Sequence, residues 1–228
     1  MSSHSDVIVI GGGAIGICAA YYLWKEGLKV TILERDAICS GCSYGNAGLI
    51  VPSHFIPLAA PGMIARGLKW MFNPGSPFYI KPRIDFGLLR WMWRFYRACS
   101  ERRMRRAMSV LRDLSMASRA LFEELAEIDG VNFGFRKNGL LMLYKGERGH
   151  SECHEMVELA QEIGVEASEL NEGQVADLHP NMRINAAGGV YFKQDCHLDP
   201  AHFVNGLSRY LEQRGVDMHP FTEVVGFG

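Results

Sequence analysis

The sequence predicts an α/β chain, α+β overall: a Rossmann-like β-α-β unit with a mixed-sheet and helical domain inserted after it. Three observations predict this. Val7-Ile8-Val9-Ile10 is a run of β-branched residues, read as a strand buried on both faces, and it runs directly into Gly11-Gly12-Gly13. From residue 14 to 23 the apolar residues Ile15, Ala19, Tyr22 and Leu23 recur at helical spacing, and Lys29-Val30-Thr31-Ile32-Leu33 then forms a second strand. Beyond Val131 the pattern switches between strand and helix, as a mixed sheet with helices requires.

The first strand and its turn carry chemistry. In Gly11-x-Gly13-x-x-Gly16, Gly11 permits the tight turn out of the strand. Gly13 lets a pyrophosphate approach the backbone, and Gly16 lets the helix pack close against the sheet. The helix N-terminus offers N–H groups and partial positive charge to phosphates. Such a glycine pattern alone is weak; here it follows a strand and opens a helix. Glu34 ends the second strand about 20 residues on, where a ribose-binding acid belongs. Together these predict a dinucleotide site.

Gly27 closes the first helix. A long loop, residues 35–50, follows in place of the crossover helix of a simple nicotinamide fold. Its small, glycine-rich residues suit a bulky cofactor lying across them and favour flavin over nicotinamide. A proline-punctuated connection spans 52–61, and a short helix is expected over 63–72, with Pro77 and Pro82 keeping the next stretch extended. Helices are expected over 86–99, 109–128, 149–163 and 168–178, the last capped by Ser168. Strands are expected over 133–136, 139–144 and 188–192. Asp199-Pro200 starts a helix that ends at Gly215, and strands over 216–219 and 222–227 follow. The organisation expected is 1–50 for the β-α-β unit, 51–195 for the inserted domain and 196–228 for an incomplete return. The last residues fall in what reads as mid-sheet, so a chain truncated at its C-terminus, about half of a larger enzyme, is expected.

Composition narrows the classes. Of 228 residues, 48% are hydrophobic and 21% charged, with a net charge of −1, which gives no reason to expect nucleic acid as a partner. The N-terminus shows no basic segment followed by an apolar one, so no signal peptide is expected. No run is long enough to span a bilayer, and a cytoplasmic location with reduced thiols is expected for the six scattered cysteines. Cys39-Ser-Gly-Cys42 has redox-pair spacing, but no second pair completes a zinc site. No helix is read as carrying two histidines at i, i+4 beside an acid, so no metal is expected. His54 and His197 read as a surface and a structural histidine, with His54 facing a substrate as the lesser reading. The aromatic region from Trp70 to Trp93, interleaved with Arg66, Lys69, Lys81, Arg83 and Arg90, reads as helical core or as an interfacial membrane contact, on different faces.

With these residues in hand, the chain resembles the FAD-dependent D-amino-acid oxidase-like oxidoreductases, and within them the small subunit of bacterial D-amino-acid dehydrogenases. The resemblance rests on Asn46-Ala47-Gly48, Ala59-Ala60-Pro61-Gly62, Lys69-Trp70-Met71-Phe72, Trp91-Met92-Trp93 and Gly188-Gly189-Val190, and runs along essentially the whole chain. It implies FAD as cofactor, with Gly11, Gly12, Gly13, Ala14, Ile15 and Gly16 on the pyrophosphate and Glu34, followed by Arg35, at the adenosine ribose. It further implies Cys42, Ser43, Ala47, Gly48 and Leu49 along the pyrophosphate and flavin, and Val224 at the adenine. It also implies oxidative deamination of a D-amino acid to a 2-oxo acid and ammonia by hydride transfer to flavin. Electrons would then pass to a respiratory acceptor such as a quinone, with a peripheral position on the inner face of the cell membrane. A related oxidase or dehydrogenase of glycine, hydroxyproline or an opine, or a non-catalytic FAD-binding fragment, are the alternatives. The family's substrate-clamping arginine and tyrosine have no match in this sequence, so no catalytic residue is assigned.

Overall fold

A computed structural model of the chain describes residues 4–63, 67 and 85–227. Two compact units divide it: Met1–Ile50, Arg119–Asn138 and Asp195–Gly228 form the first, Val51–Ser118 and Gly139–Gln194 the second. Residues 119–138, which fall inside the span 51–195 expected as one block, group with the first unit. Leu125, Val131 and Phe133 are buried in that unit's core.

The first unit is built on three parallel strands, β1 (Val7–Ile10), β2 (Val30–Leu33) and β8 (Asp217–His219), in the order β1-β2-β8. Val7 stands opposite Val30, and Thr31 opposite Asp217. Helix α1 (Ala14–Lys25) follows β1, and α6 (Pro200–Glu212) packs beside it. Ile17, Ala20, Ile32, Val204, Leu207 and Leu211 are fully buried where these elements meet. Asp199 starts α6 as expected: its carboxylate accepts from the His202 N–H at 2.8 Å, and Pro200 occupies the first turn. The two-residue strands β3 (Leu49–Ile50) and β7 (Cys196–His197) pair antiparallel.

Three expectations change in this unit. β1 is not buried on both faces: Ile8 and Ile10 are 58% and 53% exposed, whereas Val7 and Val9, on the other face, are half-buried, with Val9 packed against the core. Residues 133–136 make a single bridge, Arg136 to His197, rather than a strand. Residues 222–227 form no strand either; the Phe221 and Thr222 N–H groups instead donate to the Asp36 and Glu34 carbonyls, at 3.0 and 2.8 Å.

The second unit holds an antiparallel sheet, β4 (Leu140–Tyr144), β6 (Gly188–Phe192) and β5 (Ala167–Asn171), with β6 in the centre. The paired glycines of β6 fit this central place, since a Cβ at Gly188 or Gly189 would crowd the Leu170 or Met142 carbonyl on either side. Val190 and Phe192 are fully buried under α4 (Gly146–Glu162). The helix expected over 168–178 is a strand followed by the shorter α5 (Glu172–Leu178). Ser168 pairs opposite Tyr191 in the sheet and caps nothing. The cap is Asn171, whose side chain accepts from the Gln174 N–H while Gln174 accepts from the Asn171 N–H, at 2.9 and 3.0 Å.

Helix α2 (Phe86–Ala98) is capped by Asp85, which accepts from the Gly87 and Leu88 N–H groups. Helix α3 (Glu101–Ala126) starts eight residues before the expected position 109. Its early turns carry four arginines, which hide the buried pair Met104 and Met108 that anchors them. Residues 101–118 of α3 belong to the second unit and the remainder to the first. Apart from Met63 and Gly67, the expected helix over 63–72 and the extended stretch after it lie outside the described residues.

Two outcomes follow from this packing. Leu207→Ala removes a fully buried side chain and is expected to cost about 2–5 kcal/mol in urea unfolding. In the second unit, His154 on α4 meets Glu169 on β5 at 2.6 Å, and this hydrogen bond holds the imidazole above the usual histidine range, with Glu158 adding at 3.7 Å. The raised folded-state pKa means that the pair stabilises fully below the unfolded-state value of about 6.5 and loses its effect as pH rises through the folded one. Glu169→Gln is expected to lower the His154 titration midpoint in proton NMR; an unchanged midpoint would contradict the pairing.

Candidate functional site

The turn between β1 and α1 is shaped by three glycines for different reasons. Gly11 has φ +110°, a left-handed conformation that a side chain rarely adopts. Gly16 faces the opposite constraint: a Cβ there would collide with the Gly11 carbonyl oxygen, so only glycine lets α1 run this close to the end of β1. Gly13 is the N-cap of α1, in extended conformation and with no side chain to close the helix end. The helix therefore opens on bare backbone, with Ile15 88% exposed beside it.

Glu34, just past the end of β2, is tied to this turn. One carboxylate oxygen accepts from the Gly12 N–H at 2.7 Å, and the other from the Asp36 N–H at 2.9 Å. These two backbone donors, Asp36 first, hold its carboxyl below the usual range, so it is a carboxylate at neutral pH. The loop over 35–50 closes the other side. The Cys39 N–H donates to the Gly12 carbonyl at 3.1 Å, and the Ile38 side chain lies against the space a Cβ on Gly12 would need. Ser43 Oγ accepts from the Ala14 N–H at 3.0 Å, directly over the first turn of α1. Asn46 braces the loop: its amide donates to the Ser43 carbonyl at 3.1 Å, and its oxygen accepts from the Gly48 N–H at 2.7 Å. Gly48 has φ +64° and packs where a Cβ would meet the Leu198 carbonyl.

The fold thus brings together Gly11, Gly12, Gly13, Ala14, Ile15, Gly16, Glu34 and Ser43, with Ala47, Gly48 and Leu49 at the far end of the same loop. Arg35 turns to an exposed ion pair with Asp36 at 3.2 Å. Cys42 is exposed, and Cys39 is buried with φ +66°; none of the six cysteines is in a disulfide. Val224 lies two residues past Thr222, whose N–H reaches the Glu34 carbonyl, in a segment without strand pairing. Ile38, Cys39 and Asn46 also shape the site, although none was expected to contact the cofactor. Only the Asn-Ala-Gly sequence signals one of them, since an asparagine before a left-handed glycine commonly bonds its own turn.

His54 is exposed, and His197 lies in β7, where its backbone bonds Arg136 in both directions. His150 and His154 do stand at i, i+4 on α4, a pairing not expected from the sequence. Their ring centroids are 6.4 Å apart, and among the described residues no group of three ligating side chains is placed to hold a metal ion.

The arrangement suits a dinucleotide diphosphate: a glycine-walled turn, a helix N-terminus without a side-chain cap, a hydroxyl over its first turn and an ionised carboxylate at the end of the neighbouring strand. The model of the FAD dependent oxidoreductase (DAO) family matches residues 6–228. The chain belongs to that family. FAD is the family's cofactor, and the glycine cradle with its carboxylate fits it. D-amino acid dehydrogenases of Helicobacter pylori and Granulibacter bethesdensis are each 28% identical to the chain, over 97% of its length and 53% and 54% of theirs. The chain spans about half the length of these curated relatives. Among solved structures it is similar to glycine oxidase from Bacillus cereus, with a TM-score of 0.67 at 22% identity over 99% of this chain and 48% of that one. It is also similar to L-proline dehydrogenase from P. horikoshii, with a TM-score of 0.64 at 20% identity over 100% and 47%. These two likenesses concern the fold.

Replacing Glu34 releases the Gly12 and Asp36 N–H groups together. Glu34→Ala is expected to lower the flavin content of the purified chain, read from visible absorbance. Because its folded-state pKa is depressed, the Glu34 contribution is present above the unfolded-state value of about 4.3 and is lost as pH falls through the folded one. Unchanged flavin content in the variant at neutral pH would remove Glu34 from the site.

Proposed function

We propose that the chain is the cofactor-binding portion of an FAD-dependent enzyme that deaminates D-amino acids oxidatively to 2-oxo acids and ammonia. The observation that carries the reading is the Glu34 carboxylate bonded to Gly12 within a glycine-walled helix entry, in a chain matched by the family model from residue 6 to 228. The substrate class is taken from the relatives, which carry the name D-amino acid dehydrogenase.

In this reading the backbone N–H groups from Gly11 to Gly16 and the positive end of α1 hold the pyrophosphate. Glu34 accepts from the adenosine ribose hydroxyls, with Arg35 beside it. Cys42, Ser43, Ala47, Gly48 and Leu49 lie along the pyrophosphate and the flavin, and the Val224 backbone meets the adenine. When bound, FAD supplies the two-electron acceptor for the C–H bond beside the amine. The residues of this chain bind and orient; none of its side chains is assigned a proton transfer. The onward acceptor is a respiratory one such as a quinone, and the protein sits peripherally on the inner face of the cell membrane. No described helix is long and apolar enough to cross it.

Binding and turnover separate cleanly. The purified chain is expected to carry flavin, with two visible absorption bands. In a protein extended to the length of the relatives, anaerobic D-alanine is expected to bleach those bands and L-alanine to leave them, whereas the 228-residue chain alone is expected to turn over poorly. Flavin that binds but is bleached by neither enantiomer would overturn the substrate reading and leave the cofactor reading standing.

A further inference from the structure

Helix α2 half-buries one face, with Leu88, Met92, Phe95 and Ala98, and leaves most of the rest to water. None of its residues from Phe86 to Ala98 is buried, although eight of the thirteen are large and apolar or aromatic. At 3.6 residues per turn, Phe86, Leu89, Trp93 and Tyr96 fall in one stripe along the helix. They are 87%, 55%, 61% and 58% exposed. Trp93 and Tyr96 stack within the stripe, with ring centroids 5.8 Å apart and planes 23° from parallel, so neither ring folds inward to hide. A stripe of this kind on a water-facing helix costs free energy unless another phase covers it.

The charges indicate which phase. Arg90, Arg94 and Arg97 run along one side of the stripe, all exposed, and α2 contains no acidic residue. The basic surface continues into the first turns of α3, where Arg102, Arg103 and Arg106 are exposed, and Arg103 donates to the Arg97 carbonyl at 2.9 Å. An arginine row beside tryptophan and tyrosine rings matches the layered chemistry of a lipid interface: anionic headgroups outside, acyl chains inside, amphipathic rings between. A second copy packed antiparallel through α2 would set arginine row beside arginine row, which disfavours that occupant. At thirteen residues the helix is about 20 Å long, too short to cross a bilayer and long enough to lie in its surface.

We propose that α2 is the membrane-docking element, lying in the plane of an anionic lipid surface with Phe86, Leu89, Trp93 and Tyr96 inserted and Arg90, Arg94 and Arg97 on the headgroups. This deepens the peripheral membrane position proposed above by naming the surface and the lipid charge that it needs.

The test is co-sedimentation of the 228-residue chain with vesicles, which requires neither flavin nor turnover. Vesicles of phosphatidylcholine with phosphatidylglycerol are expected to carry the protein down, those of phosphatidylcholine alone much less, and added salt is expected to release it. Arg90→Gln with Arg94→Gln and Arg97→Gln changes only exposed heads and is expected to weaken partitioning about five-fold per arginine. Leu89→Ser with Trp93→Ser is expected to abolish insertion, seen as loss of the tryptophan emission shift on adding vesicles. Absence of binding to the anionic vesicles would overturn the proposal even if the flavin chemistry holds. So would full binding by the arginine variant, which decides the matter should the serine variant fold poorly. A dimer in the absence of lipid that the serine variant dissolves would give the stripe to a second copy and overturn it as well.

Discussion

The first unit depends on one close approach, that of Gly16 in α1 to the carbonyl of Gly11 at the end of β1. With no Cβ in the way, the helix begins almost on top of the strand that feeds it, and its N-terminal N–H groups stay near the sheet edge. Several other features depend on that placement. Gly12 comes within reach of the Glu34 carboxylate, the Cys39 N–H finds the Gly12 carbonyl, and Ser43 reaches the Ala14 N–H. Moving α1 outward by the width of a methyl group would carry the Ala14 N–H away from the Ser43 hydroxyl. The site is thus a consequence of how tightly a helix can leave a parallel strand.

Glu34 has two tasks that draw on the same charge. Its oxygens staple the turn after β1 to the chain after β2, and this double donation keeps the carboxyl ionised. An ionised carboxylate has lone pairs beyond the two already engaged, so holding the turn does not exhaust what it can accept from a ligand. Structural support by Glu34 therefore leaves its remaining lone pairs open to the ribose contact proposed for it. Arg35 next to it bonds Asp36 rather than Glu34, while its charge still helps hold the Glu34 carboxyl down.

Much of the first unit was legible because its signals are local. The β-branched run, the glycine spacing, the Gly27 stop and the Asp199-Pro200 start each act within a few residues, and each falls where expected. What was not legible was decided by distant partners. Ala167-Ser-Glu-Leu-Asn171 has no strand pattern of its own; it is extended because β6 offers it an edge. The early turns of α3 look like a charged run until Met104 and Met108 are seen to be buried. Ile8 and Ile10 look like core because β-branched residues say nothing about which face is covered. In the site, the glycines and Glu34 could be found by spacing. Ile38 and Cys39 enter only through a loop whose path the sequence does not display.

The Ser43 hydroxyl over the first turn of α1 has a consequence of its own. A helix entry open to phosphate would ordinarily leave its N–H groups to water whenever no ligand is bound. Here the loop itself supplies an oxygen to the Ala14 N–H, so α1 has a partner for its first turn from within the chain. A hydroxyl is also a donor, and it can turn from accepting the Ala14 N–H to donating towards an incoming oxygen. The same atom that stands in for the ligand can then greet it, and the difference between the two arrangements is a bond rotation rather than a refolded loop. A ligand oxygen that took the Ala14 N–H would do so in exchange for a serine already there.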